Sequence, residues 1–244
     1  ATHSLVALAR DGGTGALTFI QSLRDGQGGV DGLRRPRQVA ISPDGVTVYV
    51  IANQDDAIAL FARDAGTGSL TFGGAVFNDP PTVDGLWQAK GVVVSAGGGW
   101  VLASGRSDPA APKGAVAVFS RDLSTGALTF AEAKINNTGG VSGIGGASAL
   151  AFSPGGDALY VAGFSDNSVA VFSRNASDGH LGFIEKETDG LGSPQVDGIA
   201  GARGVEVSPD GSLVLVAEES AAEESAVETP AETPAPVDAA TASS

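Results

Sequence analysis

One six-residue string is written four times along the chain at nearly constant intervals. Thr14-Gly15-Ala16-Leu17-Thr18-Phe19 returns as Thr67-Gly68-Ser69-Leu70-Thr71-Phe72 and Thr125-Gly126-Ala127-Leu128-Thr129-Phe130. A looser copy is Asp178-Gly179-His180-Leu181-Gly182-Phe183, and the steps are 53, 58 and 53 residues. A second anchor keeps the same phase: Val6-Ala7-Leu8, Ala59-Leu60-Phe61, Ala117-Val118-Phe119 and Ala170-Val171-Phe172, each followed by Ala or Ser and then Arg. A third is Val30-Asp31-Gly32-Leu33, repeated as Val83-Asp84-Gly85-Leu86, Val141-Ser142-Gly143-Ile144 and Val196-Asp197-Gly198-Ile199. Its second residue stands eleven places before Ser42, Ser95, Ser153 and Ser208. Three anchors in one phase make this a tandem repeat, which restricts the fold to architectures that stack or circulate one supersecondary unit.

Each period reads as four short strands. In the first whole unit these are Gln38–Ile41, Thr47–Ala52, Ala57–Ala62 and Leu70–Ala75. They are rich in Val, Ile, Ala and Phe and bounded by Gly, Pro and Asp, as strands should be. Four strands in about 50 residues describe a blade of an all-β propeller. The phase of the chain matters as well. It opens on strands three and four of a unit (Leu5–Ala9, Ala16–Gln21) and ends its repeats on strands one and two (Arg203–Val207, Leu213–Ala217). Pairing the two half-units would complete a fourth blade and close a four-bladed ring, removing its open edges. The alternative is a fragment or half of a larger, seven- or eight-bladed ring. Residues 1–217 are read as the propeller and 218–244 as an acidic, Ala/Glu/Pro/Thr-rich tail too poor in apolar surface to fold alone.

Composition removes several classes of function. The net charge is −14, and from Glu218 onward the chain has seven acids and no base. Nucleic acid, which needs clustered Lys and Arg, is excluded as a partner. The chain has no cysteine and two histidines, His3 and His180, neither placed for a catalytic triad or a zinc site. No apolar run is long enough for a membrane helix. Methionine is absent even at position 1, which reads as a processed or excised chain.

The blade sequence carries a resemblance. Val30-Asp31-Gly32-Leu33, then Val39-Ala40-Ile41-Ser42-Pro43-Asp44-Gly45, Val48-Tyr49-Val50, and Ala57-Ile58-Ala59-Leu60-Phe61 resemble blades of the bacterial lactonase-fold or YVTN-type propeller proteins. The likeness runs from Leu5 to about Ala217. It implies a propeller, an exported location (secreted, cell-surface or periplasmic), and an activity that the fold alone does not fix. No catalytic motif of the family transfers residue by residue.

Two groups of side chains are candidates for chemistry. Acids crowd the loops that enter the innermost strands and those that join strands two and three. Asp31, Asp55, Asp56, Asp84, Asp166 and Asp197 are candidate ligands for Ca2+, which takes six to eight oxygens. The competing reading is a solvated rim of turn-forming aspartates. The second group begins each innermost strand: Arg37, Lys90 and Arg203 stand six residues after Asp31, Asp84 and Asp197, whereas both positions are serine in the third unit, Ser142 and Ser148. Acid and base come and go together, which predicts an ion pair within each blade. The alternative is that Arg37, Lys90 and Arg203, with Trp87 beside them, ring the channel mouth and bind an anionic ligand.

Two functional classes therefore stay open: a binding or surface-interaction module, with calcium as the candidate stabilising ion, and a lactonase-like hydrolase acting at the channel mouth. The partner is a small molecule, a glycan or a surface protein, and the chain is a monomer or a homodimer.

Overall fold

The computed structural model describes residues 3–107, 113–192 and 194–219, and all regular structure in it is β apart from one 3-10 turn, Phe164–Asp166. Residues 220–244 of the expected acidic tail lie outside the described residues.

Sixteen strands form three whole blades between two half-blades. The first half-blade pairs β1 (Ser4–Arg10) with β2 (Leu17–Arg24). The first whole blade contains β3 (Pro36–Ile41), β4 (Thr47–Ala52), β5 (Ala57–Arg63) and β6 (Leu70–Phe77). The second contains β7 (Trp87–Val94), β8 (Trp100–Arg106), β9 (Gly114–Arg121) and β10 (Leu128–Ile135). The third contains β11 (Ala147–Phe152), β12 (Ala158–Gly163), β13 (Ser168–Arg174) and β14 (Leu181–Thr188). A second half-blade pairs β15 (Ala202–Val207) with β16 (Val214–Glu218). Every pairing is antiparallel between sequence neighbours, and the innermost strands β3, β7, β11 and β15 stand side by side in that order.

The repeated residues explain the repeated geometry. In the first hairpin Gly45 takes φ 72°, a left-handed conformation that costs glycine nothing, and its N–H donates to the Ser42 carbonyl at 2.8 Å. The loop from strand three to strand four is closed by Asp64, whose Oδ1 accepts the amides of Gly66 and Thr67 and the Thr67 hydroxyl at 2.7–3.0 Å. Asp11 does the same in the first half-blade. One residue recurs at the end of strand three: Arg63, Arg121 and Arg174 each donate to the turn-glycine carbonyl of their own blade, Gly45, Gly98 and Gly156.

The core lies between blades and within each sheet sandwich. Phe61–Phe72, Phe119–Phe130 and Phe172–Phe183 meet edge to face at 5.5–5.6 Å, one pair per whole blade. Between the first two blades Tyr49, Ile51, Leu60, Leu86, Val101 and Phe119 form one buried cluster, and Leu102, Ile144, Leu159 and Phe172 continue it into the third.

The all-β propeller built of four-stranded units is the fold the repeats predict. The ring closed at four blades is not formed: β1–β2 and β15–β16 are separate two-stranded sheets, and no hydrogen bond joins them. Closing at four would require β16 to pair with β1 as β4 pairs with β5, and the ladders of these strands run instead to β15 and to β2. The chain has the other form that the sequence left open, an arc of a larger ring.

Candidate functional site

Each innermost strand is delivered by a loop whose geometry is set by acids and amides acting on backbone. The buried Leu33, Leu86, Ile144 and Ile199 have their N–H groups tied to Asp25, Asn78, Asn136 and Asp189 at 2.9–3.2 Å. The aspartate of the repeated Val-Asp-Gly-Leu string does a still more local job. Asp31 Oδ1 accepts from Gly32 N at 2.8 Å, and Asp84 Oδ1 accepts from Gly85 N at 2.7 Å. The predicted pairs Asp31–Arg37, Asp84–Lys90 and Asp197–Arg203 are absent among the salt bridges of the described residues. The physical reason is that an ionised carboxylate next to a free amide at φ-positive Gly32 or Gly85 is satisfied without crossing to the strand.

Lys90 and Arg203 instead share one aromatic neighbour, Phe164. Lys90 is half-buried, and its amine is held below the ordinary lysine value, first by desolvation and then by the charges of Arg106, Arg203 and Arg37. Its Nζ lies 5.9 Å from the centre of the Phe164 ring, and the Arg203 guanidinium lies 4.2 Å from the same centre. Arg106 lies 5.7 Å from the Trp87 ring. Glu219 forms an ion pair with Arg203 and is the one acid paired with any of the four cations among the described residues. Three of the four cations are those that sequence spacing picked out, and Trp87 joins them. Arg106 and Phe164 were not foreseen, because neither sits at a repeated position: Arg106 ends β8 where the other whole blades have Asn53 and Phe164, and Phe164 belongs to the 3-10 turn. The cluster is a positive spot in a protein of net charge −14.

The candidate metal ligands fall in different places. Asp31 and Asp55 come together with Asp25, each offering a carboxylate oxygen within 4.8 Å of the others. Burial raises the Asp55 pKa most, and the Asp25 and Asp31 charges add to it, while the Arg34 amide, donating at 2.8 Å, opposes them. Asp56 is not in this group. Its Oδ1 accepts from Gln88 N at 2.6 Å, and burial likewise raises its pKa. Asp166 is occupied by Asn136 Nδ2 and Gly145 N, both at 2.9 Å. Asp84 stays on its own loop, and Asp197 is exposed away from the cluster.

The family described as Lactonase, 7-bladed beta-propeller matches residues 2–83, 36–195 and 113–236. The chain belongs to that family. No curated protein matches this lactonase-family chain in sequence. A Bacteroides uniformis protein provisionally assigned as a 6-phosphogluconolactonase superposes with a TM-score of 0.59 at 18% identity, over 75% of this chain and 48% of that one. A Lactobacillus plantarum protein superposes with a TM-score of 0.59 at 19% identity, over 76% and 49%. Hydrazine synthase from Kuenenia stuttgartiensis reaches 0.59 at 15% identity, over 88% and 62%. At such identities these likenesses establish the propeller fold alone. The lactonase-family chain spans about half the length of the first two solved relatives.

Proposed function

We propose that this lactonase-family propeller binds a small anion at the inner mouth of its arc, between Lys90, Arg106, Arg203 and Arg37. The observation that carries the reading is the convergence of four cations with a single carboxylate among them. Like charges held together in a partly desolvated place repel one another, and a carboxylate or phosphate relieves that repulsion while accepting charge-assisted hydrogen bonds. Phe164 and Trp87 supply apolar faces beside the cations, which suits an organic anion such as a sugar acid or sugar phosphate better than a bare ion.

The family name supports a second step at the same place, opening of a lactone that carries the anionic group. Water adds to the ester carbonyl, the acyl–oxygen bond breaks, and the ring oxygen leaves as an alcohol bearing a proton. Lys90 in its free-base form takes the proton from water, and its lowered pKa makes that form more available. The positive charges of Arg106 and Arg203, which act on Lys90, suit the oxyanion that forms in that step.

Thermal shift separates these readings from a merely structural cluster. Gluconate, 6-phosphogluconate and inorganic phosphate are each titrated against the chain, with glucose as the uncharged control. A ligand at 100 times its Kd stabilises by about 2.7 kcal/mol, and the anions but not glucose should raise Tm by roughly 5–10 °C. Lys90→Met together with Arg106→Met should abolish the shift. Equal response to glucose, or a shift indifferent to the double substitution, overturns the binding reading. Loss of 6-phosphogluconolactone hydrolysis in Lys90→Met with retained anion binding would identify the base.

A further inference from the structure

Just past the cations, the innermost strands carry one side chain that the repeat does not call for. Four places before Ser42, Ser95, Ser153 and Ser208 stand Gln38, Gly91, Ala149 and Gly204. Three of the four units thus have Gly or Ala there, and the first has a long carboxamide. Gln38 Oε1 accepts the Val92 amide of the next blade at 2.8 Å, so the side chain crosses from β3 to the inner edge of β7. A Cβ on Gly91 would lie 3.2 Å from Gln38 Oε1, 3.2 Å from the Ser148 carbonyl oxygen and 2.7 Å from Ser104 Oγ. The bare Gly91 therefore leaves room for the carboxamide beside the residue that follows Lys90.

Capping Val92 does not by itself account for this residue. Val92 corresponds in the repeat to Val39, Leu150 and Val205, each opposite the matching residue of its second strand. No side chain bonds those three amides among the described residues, so the unit is built without such a cap. The bond does fix which way the carboxamide faces. An N–H donor takes the oxygen, which leaves Nε2 as a held donor with no acceptor among the described residues. Its depth suits the site beside it. Arg37 precedes Gln38, and Lys90 stands two residues before Val92 on β7. At about 3.3 Å of rise per residue, the carboxamide lies roughly 7 Å along the strand from the Lys90 backbone.

We propose that Gln38 determines the specificity of the anion site, and this inference rests on the binding reading given above. The cations take the ligand's charged group, and Gln38 Nε2 donates to a hydroxyl or carbonyl oxygen on its body. The ligand class is then a hydroxylated acid or phosphate whose carbon chain covers the distance between them, in preference to a bare oxyanion. Gly or Ala at the same place in the other units could not make that distinction, which leaves it to one side chain.

Titration calorimetry with inorganic phosphate and 6-phosphogluconate, on the parent and two variants, tests the assignment. The parent should bind 6-phosphogluconate about tenfold more tightly than phosphate. Gln38→Leu should leave the phosphate Kd within about twofold and weaken 6-phosphogluconate about five- to tenfold, the loss of one hydrogen bond. Gln38→Glu keeps the acceptor that Val92 uses and removes the donor, so it should weaken 6-phosphogluconate at least as much. Circular dichroism should be the same for all three proteins. Equal affinity of the parent for both ligands overturns the assignment. So does parental affinity in Gln38→Glu, which would leave Gln38 only its bond to Val92, and so does an equal loss for both ligands, or no loss, in Gln38→Leu. Each of these results spares the cation site. A parent that binds neither ligand removes the cation site and the role of Gln38 together.

Discussion

Arg121 is the clearest case of one residue setting the position of its neighbours. Its side chain is fully buried, and the guanidinium reaches across the blade boundary to Asp44 at 2.9 Å, the Tyr49 hydroxyl at 2.8 Å and Thr47 Oγ1 at 3.0 Å. Tyr49 in turn donates to the Gly126 carbonyl at 2.7 Å. Removing the cation leaves buried oxygens without a donor, so Arg121→Met should cost about 2–4 kcal/mol in urea unfolding. An unchanged midpoint would show that the network contributes nothing net. Asp55 points the other way. Its carboxyl is held above the ordinary value by burial and then by the charges of Asp25 and Asp31. A raised carboxyl pKa means the folded state binds more protons than the unfolded chain between the two values. Ionising Asp55 therefore takes stability away as pH rises from the ordinary carboxyl value through the raised one. Asp55→Asn should raise Tm at pH 7 in the presence of a chelator, and the gain should fade as pH falls below about 4, the ordinary carboxyl value. A lower Tm at pH 7 would mean that the charge on Asp55 is needed, as it would be for a resident cation. The sequence revealed where these aspartates and bases stand but not whom they face. The acid–base covariation of Asp31/Arg37, Asp84/Lys90 and Asp197/Arg203 looked like pairing. In the fold Asp31 and Asp84 accept the amides of Gly32 and Gly85, and Lys90 and Arg203 lie at the Phe164 ring.

At the scale of strands and turns the sequence was far more legible. Expected strand starts at Thr47, Ala57 and Leu70 are the observed ones, because hydrophobic alternation and the Ser-Pro-Asp-Gly and Asp-x-x-Thr-Gly signals are local. The strands run on further than expected, to Arg63 and Phe77, since the ladder persists past the last strongly apolar residue. Less legible is β7, where Gln88 sits at φ 50° and the register to β8 slips between Trp87 and Gly91. That kink comes from Asp56 on the preceding blade catching the Gln88 amide, a non-local contact. Glycines again divide by what surrounds them. A Cβ at Gly114 would lie 1.6 Å from the Ile144 carbonyl oxygen, so β9 could not begin beside that loop. Gly114→Ala should cost about 3 kcal/mol by guanidinium unfolding, whereas Gly12→Ala, with nothing within 4 Å, should lie within about 0.5 kcal/mol of the parent. Equal losses at both sites would remove close approach as the reason for glycine at 114.

The number of blades in a ring belongs to the whole molecule, and a count of repeats does not determine it. Closure depends on the angle between neighbouring blades, which their packed faces set, and that angle is invisible in a periodic string. Family membership and the blade unit were readable; the leading reading, closure at four blades through β1–β2 and β15–β16, was not borne out, and the arc held as the alternative. The same scale gives the axial site its meaning. Arg37, Lys90 and Arg203 are scattered through the sequence, yet circulation of the repeat brings the starts of the innermost strands to one mouth, where Arg106 and two aromatic rings join them. The gap in the third unit, Ser148, turns its hydroxyl to the Ala162 and Ala202 carbonyls instead, which leaves the cations on three of four strands. The most direct test of the anion site is crystallographic: crystals soaked in tungstate, a heavy tetrahedral oxyanion, and an anomalous difference map. The account predicts the strongest peak among Lys90, Arg106 and Arg203. A map whose peaks all lie elsewhere, or that is empty there at saturating tungstate, would contradict it.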